Sequence, residues 1–156
     1  MTKVDTQPVT VAEIDRARIM QMIPHRDPFL MIDRVIDVRS GHGAVGVKHV
    51  NADEYYFKGH FPQRPVMPGV LIIEAMAQTA AVLVVHTLGA EFEGKLVYFM
   101  SIDHARFRRP VVPGDVMMVP VTCQRHRGMV WKFDGQAKVG DKLVAEATFA
   151  AMILDS

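Results

Sequence analysis

Glu74 is the residue whose surroundings most demand a chemical explanation. It lies in the middle of a long apolar segment, between Ile73 and Ala75. An ionised carboxylate in such surroundings needs a partner or a raised pKa. Gln78 follows four residues later, on the same face of a helix, where its amide can orient the carboxyl group. A carboxylic acid with a raised pKa is a suitable proton donor, and the alternative is a structural carboxylate paired inside a subunit interface.

His60 is the histidine best placed to work with such an acid. It stands in an aromatic and proline-rich stretch shortly before the apolar segment, and histidine is the usual proton acceptor near neutral pH. His25, between Pro24 and Arg26, is more ambiguous, and a structural role is favoured for it. The other histidines are expected to be structural or to lie at the surface: His42, His49, His86, His104 and His126.

Gly69 is a candidate donor to a developing negative charge. It follows Pro68, a residue that suits the first position of a helix, so that Gly69 is expected as the second helical residue. The N–H group of such a residue has no partner within the helix. With no side chain in the way, a carbonyl oxygen can approach this positive helix end and accept that N–H. The alternative is that Pro68 and Gly69 simply begin a helix.

Composition excludes several other classes of protein. The 156 residues fit one domain, 49% of them are apolar, and the formal net charge is +1, which does not favour binding to nucleic acid or to an anionic membrane. No His-Glu-x-x-His or Cys-x-x-Cys spacing is present, so we expect no metal site. The single cysteine, Cys123, lies in a strand-like run and is expected to be a buried structural residue.

The most apolar stretch, residues 66–85, is predicted to be a buried helix. It is long enough to span a bilayer, but Glu74 and Gln78 lie in its middle, where a carboxylate is costly. Pro68 is expected to begin the helix, which ends before Gly89 and is about 30 Å long. Because it is apolar nearly all round, it should be enclosed on several sides.

The rest of the chain is predicted to be strand-rich. Residues 1–17 are expected to be an N-terminal tail and the start of a short helix at 14–22, and residues 18–156 a single domain. The polar residues 1–10, with Asp5 among them, are unlike a secretory signal. The predicted strands are 29–38, 44–50, 95–102, 105–108, 116–125, 129–139 and 142–154, with turns at 41–43, 113–115 and 140–141. This pattern predicts an α+β domain, with one long buried helix and an antiparallel sheet wrapped around it.

Residues 59–78, which include His60-Phe61-Pro62, Met67-Pro68-Gly69 and Glu74, strongly resemble the signature of β-hydroxyacyl-[acyl-carrier-protein] dehydratases. The resemblance is closest to the broad-specificity, dehydration-only type of bacterial type II fatty-acid synthesis. It extends over about residues 20–154, with further matching segments at residues 23–26, 28–30, 33–35, 105–115 and 131–133. Asp27 departs from the pattern, because an aromatic residue is common at this position.

The resemblance implies the hotdog fold, in which a long helix is wrapped by a curved antiparallel sheet. It also implies an enzyme that converts (3R)-hydroxyacyl thioesters on the phosphopantetheine arm of acyl carrier protein to trans-2-enoyl thioesters, without a metal or redox cofactor. The single cysteine is compatible with a cytoplasmic location. His60 would be the catalytic histidine and Glu74 the catalytic acid, contributed by opposite subunits of a homodimer. The commonest assembly in the family is a hexamer, a trimer of dimers. Whether the products enter membrane fatty acids or lipid A stays open.

The substrate also requires an apolar tunnel for its acyl chain and a basic rim for the acidic carrier protein. Ordinary core packing is an equally good explanation for the tunnel candidates, and a solvated strand face for the rim candidates. The tunnel candidates are Phe61, Ile72, Met76, Phe99 and Met100, and the rim candidates are Arg106, Arg108 and Arg109.

Three competing functions fit the sequence less well. A bifunctional dehydratase/isomerase of the same fold normally has aspartate at the position of Glu74. An acyl thioesterase of this fold lacks the His-Phe-Pro and Met-Pro-Gly pattern. A non-enzymatic acyl-binding module has no reason to place an acid inside an apolar helix.

Overall fold

The structure is a computed structural model in which residues 10–154 are described. A seven-stranded sheet packs against one long helix. The elements, in chain order, are β1 (Thr10–Ile14), α1 (Arg16–Met22), β2 (Arg34–Arg39), β3 (Gly43–His49), α2 (Gly69–Leu88), β4 (Val97–Phe107), β5 (Val116–Arg127), β6 (Val130–Val139) and β7 (Lys142–Ile153), with short 3₁₀ helices at Tyr55–Lys58 and Ala90–Phe92.

The sheet is antiparallel throughout and has the strand order β1-β2-β3-β5-β6-β7-β4. Gly140, with a φ of 61°, forms the tight turn between β6 and β7. The connection from β3 to β5 contains α2 and β4, and α2 packs against β3, β5, β6 and β7, across one face of the sheet. The predicted α+β architecture, a central helix with an antiparallel sheet, is confirmed.

Helix α2 ends where the sequence predicts and begins one residue later than predicted. Pro68 is its N-cap, and Gly89, with a φ of 111°, ends it, because glycine adopts positive φ without strain. The helix is long and apolar enough to cross a membrane by length and composition, but 72% of its most apolar window is buried within the fold. The predicted buried helix is therefore confirmed. Gly69 is the first helical residue and not, as predicted, the second.

Two glycines in the sheet allow α2 to approach closely. A Cβ at Gly46 of β3 would overlap Oγ1 of Thr79, and a Cβ at Gly135 of β6 would lie 2.8 Å from Sδ of Met76. Thr79 and Met76 are fully buried. The aromatic layer beneath them contains Phe133 and Phe149, whose ring centroids are 5.6 Å apart.

Three predicted boundaries are wrong. The sequence predicted a tail and then a helix from residue 14, but Thr10–Ile14 forms β1 and pairs with β2, and the helix begins at Arg16. Residues 1–9 of the predicted tail lie outside the described residues. The strand predicted at 29–38 begins only at Arg34, because the N–H groups of Phe29 and Leu30 bond to the carbonyl of Arg26 in a turn.

The third wrong boundary concerns β4. The two short strands predicted at 95–102 and 105–108 form one strand, Val97–Phe107. Its pairing with β7 shifts register between Asp103 and Arg106, and His104 within this irregularity has a φ of 54°. An extra residue with αL conformation is a β-bulge, which from the sequence alone resembles a break between strands.

We expect the close approach of α2 to β3 to be sensitive to a single methyl group. Gly46→Ala places a Cβ against Thr79 and should lower the stability of the fold by about 1–3 kcal/mol. The measurement is chemical unfolding monitored by circular dichroism. Gly59→Ala is the matched control, since a Cβ at Gly59 meets nothing within 4 Å. Equal stabilities of the two variants would contradict this description of the packing.

Candidate active site

His60 is held in a loop by three hydrogen bonds. Its backbone N–H donates to the carbonyl of Tyr56 (3.1 Å), and its own carbonyl accepts the N–H of Val66 (2.9 Å). Its ring Nδ1 lies 2.7 Å from the carbonyl oxygen of Val66. Because a carbonyl oxygen only accepts, Nδ1 is the protonated nitrogen of the neutral ring. Nε2 therefore carries the lone pair, as a proton acceptor requires.

The loop that holds His60 also brings it to the N-terminus of α2. The next residue after Val66, Met67, donates its N–H to the carbonyl of Val111 (2.8 Å). This bond joins the loop to the segment that follows β4. Between them lies a cavity of about 480 Å³. Its lining residues are His60, Val66, Met67, Gly69, Val70, Ile72, Phe107, Arg108, Arg109, Pro110 and Val111.

Gly69 borders this cavity at the N-terminus of the helix. The first helical N–H groups to bond within the helix are those of Leu71 and Ile72, which donate to the carbonyl of Pro68. The N–H groups of Gly69 and Val70 precede them, at the positive end of the helix. The ring of Phe107 lies against Gly69, where a Cβ would be 2.7 Å from a ring carbon. Close packing with Phe107 is thus a reason for glycine here that the sequence did not suggest.

Glu74 lies one turn further along α2 in a different environment. Its side chain is 16% exposed, and burial raises its pKa, an effect that a hydrogen bond from Gln78 partly opposes. Nε2 of Gln78 donates to Oε2 of Glu74 (2.8 Å). The cavity that contains His60 is not lined by Glu74. Within one chain, the two predicted partners therefore do not share a cavity.

Gln78 is the buried residue that fixes the surroundings of Glu74. It is fully buried, and its Nε2 also donates to the carbonyl of Phe29 (2.9 Å). Its Oε1 accepts the N–H of Met31 (2.7 Å). These bonds tie residues 29–31 to α2. The predicted contact between Gln78 and Glu74 is present in the structure.

The same loop brings His25 to Glu74. Nε2 of His25 lies 3.5 Å from Oε2 of Glu74, and desolvation lowers the pKa of His25, with the nearby charge of Arg26 acting in the same direction. The sequence favoured a structural role for His25 and gave no reason to place it at this carboxyl group. Only the spacing of His25 between Pro24 and Arg26, in a segment of the family resemblance, singled it out.

The predicted tunnel residues are not brought together within one chain. Ile72 lines the cavity of His60, whereas Met76 is fully buried against the sheet. Phe61 is 54% exposed. Phe99 and Met100 lie on β4 and are 37% and 54% exposed. A tunnel that contains all five residues stays a prediction.

Two of the three predicted rim arginines border the cavity. Arg108 and Arg109 line it, and Arg106 does not. Arg108 is paired with Glu146 of β7, with Nε 2.8 Å from Oε2. Among residues 10–154, no group of three histidine, cysteine, aspartate or glutamate side chains is arranged to hold a metal ion.

These features define the class of protein to which the chain belongs. A model of the FabA-like domain matches residues 23–148. The dehydratase heterocomplex ApeI:P from Xenorhabdus doucetiae has a similar fold, with a TM-score of 0.73 and 18% identity, over 87% of this chain and 90% of that one. The chain belongs to the family of FabA-like domains, which have the hotdog fold.

Within that family, the chain is similar to one kind of enzyme. It is 64% identical to the 3-hydroxyacyl-[acyl-carrier-protein] dehydratase FabZ of Rhodospirillum rubrum, over 91% of this chain and 89% of the relative. It is 66% identical to the dehydratase of the same name from Paramagnetospirillum magneticum, over 91% and 88%. The resemblance identified from residues 59–78 is confirmed.

Removing the charge of Glu74 should stabilise the fold at neutral and alkaline pH. Because the folded state raises the pKa of this carboxyl group, the contribution of Glu74 to stability is fully present below the unfolded-state value of about 4.5 and is lost as pH rises through the folded-state value. Glu74→Gln avoids that loss and retains an acceptor for Gln78. We expect a higher melting temperature than wild type at pH 8, with a gain that shrinks towards pH 5. Glu91→Gln, which removes an exposed carboxylate, is the control, and a gain independent of pH would contradict burial as the cause.

Proposed function

We propose that the chain dehydrates (3R)-hydroxyacyl groups carried on acyl carrier protein to trans-2-enoyl groups, in fatty-acid synthesis in the cytoplasm. The names and high identities of its relatives support the reaction. One observation supports the role of His60 as the base: Nδ1 faces the carbonyl oxygen of Val66, and this fixes the tautomer in which Nε2 is free to accept a proton.

In the proposed reaction, Nε2 of His60 takes a proton from the α-carbon of the thioester. The electron pair of that C–H bond forms the new carbon–carbon double bond. The bond from the β-carbon to oxygen breaks, and the hydroxyl leaves as water with the proton of Glu74. The proton gained by His60 and the one lost by Glu74 balance, and exchange with solvent restores both groups for the next turnover.

The helix N-terminus is proposed to stabilise the negative charge that develops on the thioester carbonyl oxygen. The N–H groups of Gly69 and Val70 precede the first helical hydrogen bonds, and Gly69 lies in the cavity of His60. Fixed backbone donors at such a point are worth about 10²–10³-fold in rate. The proposed steps move only protons and the bonds of the substrate, so that they call for no redox or metal chemistry.

Because Glu74 lies outside the cavity of His60 within one chain, we propose that a second copy supplies it. Strand β4 stands at the end of the sheet and, among residues 10–154, pairs only with β7. Ten of its eleven residues are exposed, among them Tyr98, Met100 and Ile102, each 45–55% exposed. A long apolar edge strand is a natural site for pairing with another chain. Joining two sheets at β4 gives a homodimer, and the proposed full assembly is a hexamer.

The acidic carrier protein is proposed to dock beside the cavity of His60. Arg108 and Arg109 border its opening. Both arginines also line an adjoining cavity with Lys142 and Asp141, so that three basic side chains outnumber one acidic side chain on this side of the opening. The paired Glu146 reduces the charge that Arg108 presents, and Arg109 is therefore the stronger candidate.

We expect His60→Ala and Glu74→Gln each to abolish turnover and a mixture of the two to regain it. General acid–base catalysis is worth about 10²–10⁴-fold, and neither an alanine nor an amide transfers the proton. In a mixed dimer, one of the two sites combines an intact His60 with an intact Glu74, so that a substantial fraction of activity should return after subunit exchange. The assay starts from a hydroxyacyl thioester and measures two quantities in the same sample: the absorbance of the enoyl product and the amount of free thiol.

Mass spectrometry must show that the subunits have exchanged, and circular dichroism that both variants are folded. A mixture that exchanges and stays inactive would mean that one chain supplies both groups. Full activity of either single variant would exclude that residue from the reaction. Release of free thiol would indicate hydrolysis by a thioesterase, and appearance of a 3-enoyl product would indicate an isomerase.

A further inference from the structure

We propose that His25 is a positioning residue that orients Glu74 and stabilises its carboxylate once the proton has been transferred. The inference rests on the proposed role of Glu74 as the proton donor and adds a residue that this role does not require by itself. It is carried by the contact between Nε2 of His25 and Oε2 of Glu74, 3.5 Å apart in a site where each side chain is 16% exposed.

The backbone that carries His25 is held by its own loop. The guanidinium group of Arg26 donates to the carbonyl oxygens of His25 (2.7 Å), Ile23 (3.0 Å) and Met20 (2.8 Å). These bonds fold residues 20–26 into a compact turn that continues from α1. Gln78 ties the following residues, Phe29 and Met31, to α2. The loop is therefore fixed to the helix at Gln78, one turn from Glu74, and His25 is presented to the carboxyl group by a rigid frame.

The surroundings of the ring favour one tautomer of His25. Nδ1 is buried and has no hydrogen-bond partner among the described residues, whereas Nε2 faces an oxygen that accepts. A neutral imidazole has one N–H group, so that the contact with Glu74 favours the proton on Nε2. Desolvation lowers the pKa of His25 and keeps the ring neutral, so that it acts as a hydrogen-bond donor and not as a second acid.

The two donors around Glu74 have a chemical consequence. Oε2 faces the N–H of Gln78 at 2.8 Å and that of His25 at 3.5 Å, which leaves Oε1 to carry the proton that is transferred. When that proton leaves, negative charge develops beside both donors, and the longer contact shortens. Stabilisation of the carboxylate makes Glu74 a stronger acid than burial alone would allow, and burial alone raises its pKa.

Few other ionisable groups of the described part of the chain face this carboxyl group. From the loop, His25 contacts it, and the charge of Arg26 acts on His25. Asp27 turns to a separate cavity lined by Arg16 and Lys48. From α2, the neighbour is the uncharged Gln78. In the proposed assembly, His60 of a second copy would be the remaining ionisable group that faces Glu74.

The test compares His25→Gln with His25→Asn, which carry the same amide at different lengths. The glutamine places its N–H₂ group as far from the backbone as Nε2 of histidine, whereas the asparagine falls short of Glu74. We expect His25→Gln to keep kcat within about threefold of wild type. For His25→Asn we expect kcat to fall about tenfold, because one hydrogen bond to a charged group is lost. The KM should be nearly unchanged.

The pH dependence of kcat separates this role from a purely structural one. The rate requires Glu74 to be protonated, and therefore falls at alkaline pH as Glu74 ionises. Without the N–H of His25, Glu74 is a weaker acid, so that the alkaline limb of His25→Asn should move to higher pH while that of His25→Gln stays near wild type. The acidic limb, which does not depend on the ionisation of Glu74, should not move in either variant.

Two outcomes would overturn the inference. One is a His25→Asn enzyme with the kcat and alkaline limb of wild type. The other is an equal loss in both variants with unmoved limbs, which indicates that His25 only supports the loop. Glu74→Gln measured in parallel distinguishes these from a failure of the proposed function: if it is active, Glu74 is not the proton donor, and if it is inactive, only the role of His25 is at stake.

Discussion

The burial of one carboxyl group inside an apolar helix is the constraint on which the rest of this structure depends. Desolvation disfavours the charged form of Glu74 and raises its pKa, and a buried carboxyl group is tolerated only if its polar atoms find partners. Gln78 supplies one partner and is itself satisfied by the backbone of Phe29 and Met31. The conformation of the loop before β2 is therefore coupled to the burial of Glu74 through the hydrogen bonds of Gln78.

The sequence predicted those parts of the site that depend on contacts between residues close together in the chain. Glu74 and Gln78 are four residues apart on one helix, and their contact follows from helical geometry. The extent of α2 followed from Pro68, Gly89 and the apolar residues between them. The contact of His25 with Glu74 joins two elements distant in the chain, and no local pattern encodes it. Likewise, β1 became visible only through its pairing with β2, and the β4 bulge through its register with β7.

The separation of His60 from Glu74 explains why a single chain looks incomplete. His60, Gly69 and Ile72 lie around one cavity, while Glu74 faces His25 and Gln78. In addition, β4 is an edge strand with exposed apolar side chains, and a monomer would leave this apolar surface in contact with water. Both features have one explanation if two copies join through β4 and each provides one half of the other's reactive pair. In such a dimer, the carboxyl group of Glu74 can stay buried while His60 borders an accessible cavity. The substrate then lies between the two groups.

A crystal structure of the Glu74→Gln variant with a (3R)-hydroxyacyl pantetheine thioester bound is the most direct test of an active site shared between two copies. A shared active site predicts an assembly joined through β4, with the α-carbon of the ligand within about 3.5 Å of Nε2 of His60 from one copy. It also predicts the β-hydroxyl within hydrogen-bond distance of residue 74 from a second copy, and the thioester oxygen at the N–H of Gly69. A ligand whose α-carbon and β-hydroxyl contact His60 and residue 74 of the same chain, or neither residue, would contradict it.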